Sequence, residues 1–172
     1  MLERLRRAYP LKLELIPLLL VLWTSYVVLT AFPDLPTQVP IHLNAAGEAD
    51  RWGPRGLLLL LWAVQLGLVY VPATLLGLAF GLVEDFRPLI NLPGKKREGL
   101  TASQGEGIRV WVLRLLLVTR VLAMALLALI LYNSIRMARG EEAFMGSLLW
   151  VLVAALVAGT LFMMWRLLRA VR

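Results

Sequence analysis

Four apolar runs leave this chain few ways to fold. Leu15 to Phe32, Leu57 to Val83 and Ala143 to Trp165 contain no charged residue, and Leu115 to Ile135 contains one, Arg120. A helix needs about 20 apolar residues to cross a hydrocarbon core of about 30 Å, and each run is of that order. Hydrocarbon offers no water to backbone N–H and C=O groups, so a spanning segment satisfies them internally, as a helix does. The expectation is an all-α, polytopic membrane protein. It forms a single integral membrane domain over 1–172, a four-transmembrane-helix bundle with helices at about 15–32, 57–83, 110–135 and 143–165. One ordered extracytoplasmic loop occupies 33–56 and a cytoplasmic loop occupies 84–109. Arg4, Arg6, Arg7 and Lys12 ahead of the first run suit a signal peptide, but no small-x-small site follows before Pro33, so the run reads as a retained helix.

The net charge of +7 is unevenly placed. Four Lys/Arg precede the first run, six lie between the second and third and three follow the fourth, whereas the two remaining loops hold two each. Basic residues flanking short loops stay cytoplasmic. The chain is therefore expected to be multi-pass in the cell inner (cytoplasmic) membrane, with N and C termini cytoplasmic. The same charges suit anionic headgroups, and nucleic acid is not expected. Met1 to Glu14 suits a short interfacial helix or a solvated basic flank, and Lys95-Lys96-Arg97 a topology anchor.

Within the spans, Thr24 and Ser25 are positioned to bond backbone or a neighbouring helix. Pro72 predicts a kink near Ala73, and Ala73, Gly77 and Gly81 form a small-residue stripe. Ala154 with Ala158 and Ala155 with Gly159 repeat that spacing. Gln65 and Arg120 are the intramembrane polar residues, Arg120 expected to snorkel to the cytoplasmic face or to pair with Glu84 or Asp85. Ser103 and Glu106 form a capping-box pattern ahead of the third span. The plan suggested is two helical hairpins, one with two and three with four.

The loop is the chemically rich stretch. Pro33, Pro36 and Pro40 forbid helix. Thr37 to Leu43 is then extended, with Ile41 and Leu43 pointing one way and His42 and Asn44 the other. Ala45-Ala46-Gly47 is a turn, and Trp52-Gly53-Pro54 suits chain re-entering the interface. The only histidine, His42, falls within nine residues of Asn44, Glu48 and Asp50. One histidine and two carboxylates, without HExxH spacing, make a poor zinc set. With no cysteine and no nucleotide or hydrolase motif, no catalytic residue, metal or cofactor is assigned. The candidate ligand-binding residues are Pro40, His42, Asn44, Gly47, Asp50 and Trp52.

Pro40-Ile41-His42-Leu43-Asn44-Ala45-Ala46-Gly47, followed by Asp50-Arg51-Trp52-Gly53, resembles the signature of a bacterial membrane family of unknown function, with a Pro-x-His-x-Asn-x-x-Gly core between two spans. The stretch from Asn91-Leu92-Pro93 is more loosely similar. The same module opens the SdpI-type immunity proteins, multi-helix membrane proteins that protect against a secreted toxic peptide. The resemblance implies a non-enzymatic receptor or immunity-like protein that recognises a peptide, lipid or envelope partner through 33–56. The residues leave a second reading, a small oligomeric transporter or channel subunit using Arg120 and Gln65. The expected partners are the lipid bilayer and a peptide or membrane protein on the outer face, with a homo-oligomer for the transporter reading.

The charge asymmetry makes a direct prediction in this cysteine-free chain. Ala46→Cys and Ser103→Cys should react with an impermeant thiol reagent from opposite sides, Ala46→Cys from outside. Reaction of both from one side would refute the orientation.

Overall fold

The computed structural model describes residues 11–44, 46–91, 99–142 and 146–170. Four helices run through it: α1 (Leu15–Ala31), α2 (Gly56–Leu82), α3 (Ala102–Ala138) and α4 (Gly146–Ala170). All four are long and apolar enough to cross a membrane, which makes this a multi-pass, all-α membrane protein. Between α1 and α2 the chain forms a two-stranded antiparallel hairpin, β1 (Gln38–Leu43) and β2 (Ala49–Pro54). Residues 1–10 lie outside the described residues, and with them most of the expected interfacial helix; Leu11–Glu14 is a single 3-10 turn leading into α1. Lys95-Lys96-Arg97 also lies outside them.

The bundle is built around α3. Its 37 residues extend about 55 Å, well beyond a hydrocarbon core of about 30 Å. Leu113, Leu117, Met124, Ala128, Leu131 and Ile135 are buried along it at three-, four- and seven-residue steps, so they share one face. α1 rests more on α3 than on α2, and the second half of α2 also packs on α3. The expected pairing of helix one with two therefore gives way to a common axis. The connection between α1 and α2 is occupied by the hairpin and is no tight turn. α4 packs along α3, where the Thr119 and Thr160 hydroxyls are 3.3 Å apart and Gly159 lies against Val118 and Leu122. Of the two small-residue pairs, Ala154 and Ala158 are exposed while Ala155 and Gly159 are half-buried.

One helix start and one helix interior differ from expectation. α3 begins at Ala102 and not near 110, because Thr101 caps it: Gln104 N–H donates to Thr101 Oγ1 (3.2 Å) and Thr101 N–H to Gln104 Oε1 (3.0 Å). This box has the same pattern as Ser103 and Glu106, two residues upstream. At Gly105 a Cβ would stand 2.7 Å from Arg87 Cγ, so the glycine admits the arginine stem. α4 is described from Gly146, and the expected start at 143 lies outside the described residues. In α2 the departure from α geometry is a π-helical segment, Gln65–Tyr70, lying ahead of Ala73. Proline lacks its N–H and crowds the carbonyl four residues back, so Pro72 disturbs the preceding turn.

At the end opposite the hairpin, α2 and α3 are joined over a small apolar cluster of Phe86, Ile90, Leu100 and Ile108, with Phe80 edge-on to Phe86 at 5.4 Å. Arg109 is buried beneath it, donating to Val83 O (2.5 Å) at the open end of α2 and to Glu106.

Gly77 and Gly81 are buried and Ala73 is half-buried, on the part of α2 that packs on α3. Gly77→Leu should therefore lower stability in detergent by about 1–3 kcal/mol, the usual cost of overpacking. Thermal unfolding in detergent checks this, and an unchanged melting profile would mean the stripe faces lipid.

Candidate functional site

Extended geometry over Thr37–Leu43 was legible from its prolines, but the return strand was not. Asp50, Gly53 and Pro54 are poor strand formers, yet β2 pairs with β1 as Gln38 with Pro54, Val39 with Gly53 and Pro40 with Trp52. The register then skips Ile41 to pair His42 with Arg51, and skips Asp50 to pair Leu43 with Ala49. The two irregularities offset one another. A single extra residue would have carried the rest of the strand onto the opposite face. Gly53 lies beneath Ile41, where a Cβ would stand 2.8 Å from Ile41 Cδ1 and push that side chain aside.

Two contacts seat the hairpin on the bundle. Val39 is fully buried among Val28, Ala31, Leu35, Leu58, Leu131 and Ile135, which come from both flanking helices and α3. Arg55, just ahead of α2, donates through one terminal nitrogen to Leu35 O (2.9 Å), Phe32 O (3.3 Å) and Pro33 O (3.3 Å). Its guanidinium also lies 5.0 Å from the Phe32 ring centroid. It thereby satisfies carbonyls left open where α1 ends and ties that end to the start of α2. Sequence reasoning counted Arg55 only as a loop charge; its place immediately before an apolar run was the available signal.

The tip is held by its own side chains. Asn44 Oδ1 accepts from Ala46 N–H (2.9 Å) and Glu48 N–H (3.0 Å), while Asn44 Nδ2 donates to Glu48 Oε2 (3.0 Å). Gly47 sits at φ +85°, where a Cβ is strained, and its N–H donates to Asn44 O (2.9 Å). His42 Nδ1 and Asp50 Oδ1 are 2.5 Å apart. Asp50, not a loop carbonyl, is thus the imidazole's partner. That hydrogen bond, with the positive charge of His42 and Arg51 beside it, holds the Asp50 carboxyl below its ordinary value of 3.8. Both side chains are about half exposed, so the pair sets the hairpin's shape more than its stability.

All six candidate ligand-binding residues are brought into this hairpin, in distinct roles. Pro40 is buried, Asn44 and Gly47 build the turn, His42 and Asp50 pair, and Trp52 is exposed. A cavity of about 530 Å³ lies between the tip and the α3–α4 connection, lined in part by Gly47, Glu48, Trp52, Met137, Glu141 and Glu142. Among the described residues no three His, Asp or Glu come together to hold a metal ion.

Gln65 and Arg120 stand apart from the hairpin, inside the bundle. Gln65 is fully buried, donating to Met124 O (3.0 Å) on α3 and Thr24 Oγ1 (3.5 Å) on α1. Thr24 and Ser25 bond backward to Leu20 O and Val21 O, and Trp62 Nε1 donates to Ser25 Oγ (2.9 Å). Arg120 is 3% exposed and held inside the bundle. It donates to Thr74 Oγ1 (2.6 Å) on α2 and to Glu14, and lies 6.0 Å from the Tyr70 ring centroid. The expected partners Glu84 and Asp85 are replaced because Glu14, at the mouth of α1, reaches the same level, while Asp85 is held by Arg87 (2.8 Å).

Residues 18–66 match the Domain of unknown function (DUF1648). The matched stretch contains most of α1, the whole hairpin and α2 as far as the buried Gln65. An uncharacterized protein of Archaeoglobus fulgidus is 42% identical over 97 residues, covering 51% of this chain and 50% of that protein. The chain thus spans about half the length of the curated relative it matches. No solved structure matches.

The lowered Asp50 value fixes a sign. A carboxylate stabilised in the folded state contributes fully above pH 3.8, and its contribution is lost as pH falls through the lowered value. Carboxyl-carbon NMR titration should place the Asp50 midpoint below 3.8, and His42→Ala should raise it toward 3.8. A midpoint indifferent to His42→Ala would mean that the pair does not form in solution.

Proposed function

We propose that this protein is a non-enzymatic receptor, immunity-like in kind, which uses the hairpin on the outer face of the cell membrane to recognise a cationic peptide. The observation that carries the reading is the cavity between the hairpin tip and the α3–α4 connection. Trp52 and Met137 offer apolar and aromatic contact there, and Glu48, Glu141 and Glu142 are exposed around it. Glu48 accepts from Asn44 and Glu141 from Arg136 (2.7 Å), but a carboxylate has about four acceptor sites, which leaves capacity for a cationic ligand. The hairpin is pre-organised by Arg55 and by its own turn, so little ordering entropy opposes binding. The placement of basic residues supports an outward hairpin, and the resemblance to SdpI-type proteins supports a peptide partner. A transporter or channel built on Arg120 and Gln65 has weaker support, since both side chains are already committed to neighbouring helices.

The test is direct binding of a short Lys/Leu amphipathic peptide to the protein in nanodiscs. We expect saturable, salt-sensitive binding, preferred over an acidic peptide of equal length. Trp52→Ala and Glu141→Gln/Glu142→Gln should each weaken it about tenfold or more, as for a residue worth over 1.4 kcal/mol at an interface. Equal affinity for the acidic peptide, or no loss in either variant, would overturn the proposal.

A further inference from the structure

A second cluster lies at the other end of the bundle, on α3 and α4. Their antiparallel packing, fixed by Thr119 against Thr160 and Gly159 against Val118, brings Trp111 level with the last turns of α4. Trp111 there carries two guanidinium groups, Arg114 from its own helix at 5.3 Å from the ring centroid and Arg166 from α4 at 4.9 Å. The two are therefore no more than about 10 Å apart. One turn further along α4, Arg169 lies 4.0 Å from the Trp165 ring centroid.

These three arginines differ from five of the seven other arginines among the described residues. Arg55, Arg87, Arg109, Arg120 and Arg136 each donate to a carbonyl or a carboxylate. Among the described residues, Arg114, Arg166 and Arg169 have aromatic faces beside them, are exposed, and form no ion pair. A guanidinium resting on a ring uses its flat face there. Its N–H edge, the part that grips phosphate in bidentate fashion, stays available. Val118, Leu161 and Phe162, exposed one to two turns deeper on the same two helices, present an apolar surface immediately next to the cationic one.

We infer that Trp111, Arg114, Arg166 and Arg169 form a binding site for the headgroup phosphate of an anionic phospholipid, whose acyl chains run down the adjoining face of α3 and α4. The juxtaposition of exposed, ring-stacked guanidinium groups with an apolar strip selects a lipid over a soluble phosphate, which would leave the strip unused. Tryptophan at this level matches its preference for the membrane interface. The site is independent of the hairpin and of any ligand bound there.

The experiment uses the full chain in a mild neutral detergent, with phosphatidylglycerol, phosphatidylcholine or inorganic phosphate added, and reads both melting temperature and lipid retained in native mass spectra. Phosphatidylglycerol should raise the melting temperature and be retained, and the other two should do neither. Arg114→Gln/Arg166→Gln should abolish both effects, while Arg51→Gln/Arg139→Gln, which removes the same charge at the hairpin end, should preserve them. If the first variant is not monodisperse, Arg114→Lys/Arg166→Lys keeps the charge but loses the fork, and is expected to retain phosphatidylglycerol about tenfold less well. Survival of the effect in the arginine-to-glutamine variant at Trp111, equal loss in the hairpin-end control, undiminished retention in the lysine variant, or full reproduction by inorganic phosphate would each overturn the inference.

Discussion

Polar groups inside hydrocarbon find no water, and in this bundle Arg120 and Gln65 are each answered from other helices. Arg120 on α3 reaches Glu14 at the mouth of α1 and Thr74 on α2; Gln65 on α2 reaches the Met124 carbonyl on α3 and Thr24 on α1. Removing one partner of a buried ion pair typically costs about 3–5 kcal/mol. Contact between apolar helices gains comparatively little where lipid is equally apolar. These few polar bonds therefore do more than side-chain size to fix how α1, α2 and α3 are rotated against one another. The π-helical segment ahead of Pro72 begins at Gln65, so the widening that proline imposes coincides with the turn whose side chain crosses to α3.

The hairpin inherits its position from that arrangement. Val39 fills a gap that exists only where α1, α2 and α3 converge, and Arg55 closes the end of α1 from the first turn ahead of α2. Most of the side-chain chemistry in the Pro-x-His-x-Asn-x-x-Gly stretch is thereby explained as construction. Asn44 and Gly47 make the turn, His42 and Asp50 bridge the irregular register, and Pro40 is packed away. Trp52 and the acidic residues beside it are side chains left exposed at the tip.

α4 has a different relation to the whole. It contributes no buried residue among those described, and its contacts fall mainly on α3. Its exposed apolar face is what a helix bordered by lipid requires. Its chemistry is concentrated where it leaves the apolar run, at Trp165, Arg166 and Arg169.

The amino-acid sequence by itself determined the number and place of the spans, the charge asymmetry between the two ends, the extended stretch through Pro40 and the turn at Gly47. Each of these follows from composition or from a backbone limit acting within a few residues. It left other features open where local signals conflicted or were absent. Thr101-x-x-Gln104 and Ser103-x-x-Glu106 are the same capping pattern two residues apart, and only the packing of Arg87 over Gly105 accompanies the earlier start. β2 has little strand propensity and exists because β1 and the clasped ends hold it in place. The tertiary structure alone decided the partners of Arg120 and Arg55 and the Val83 carbonyl that Arg109 reaches, because each lies on another element. Glu14 is 106 residues from Arg120, and no local rule relates charges so far apart until the helices bring them to the same depth.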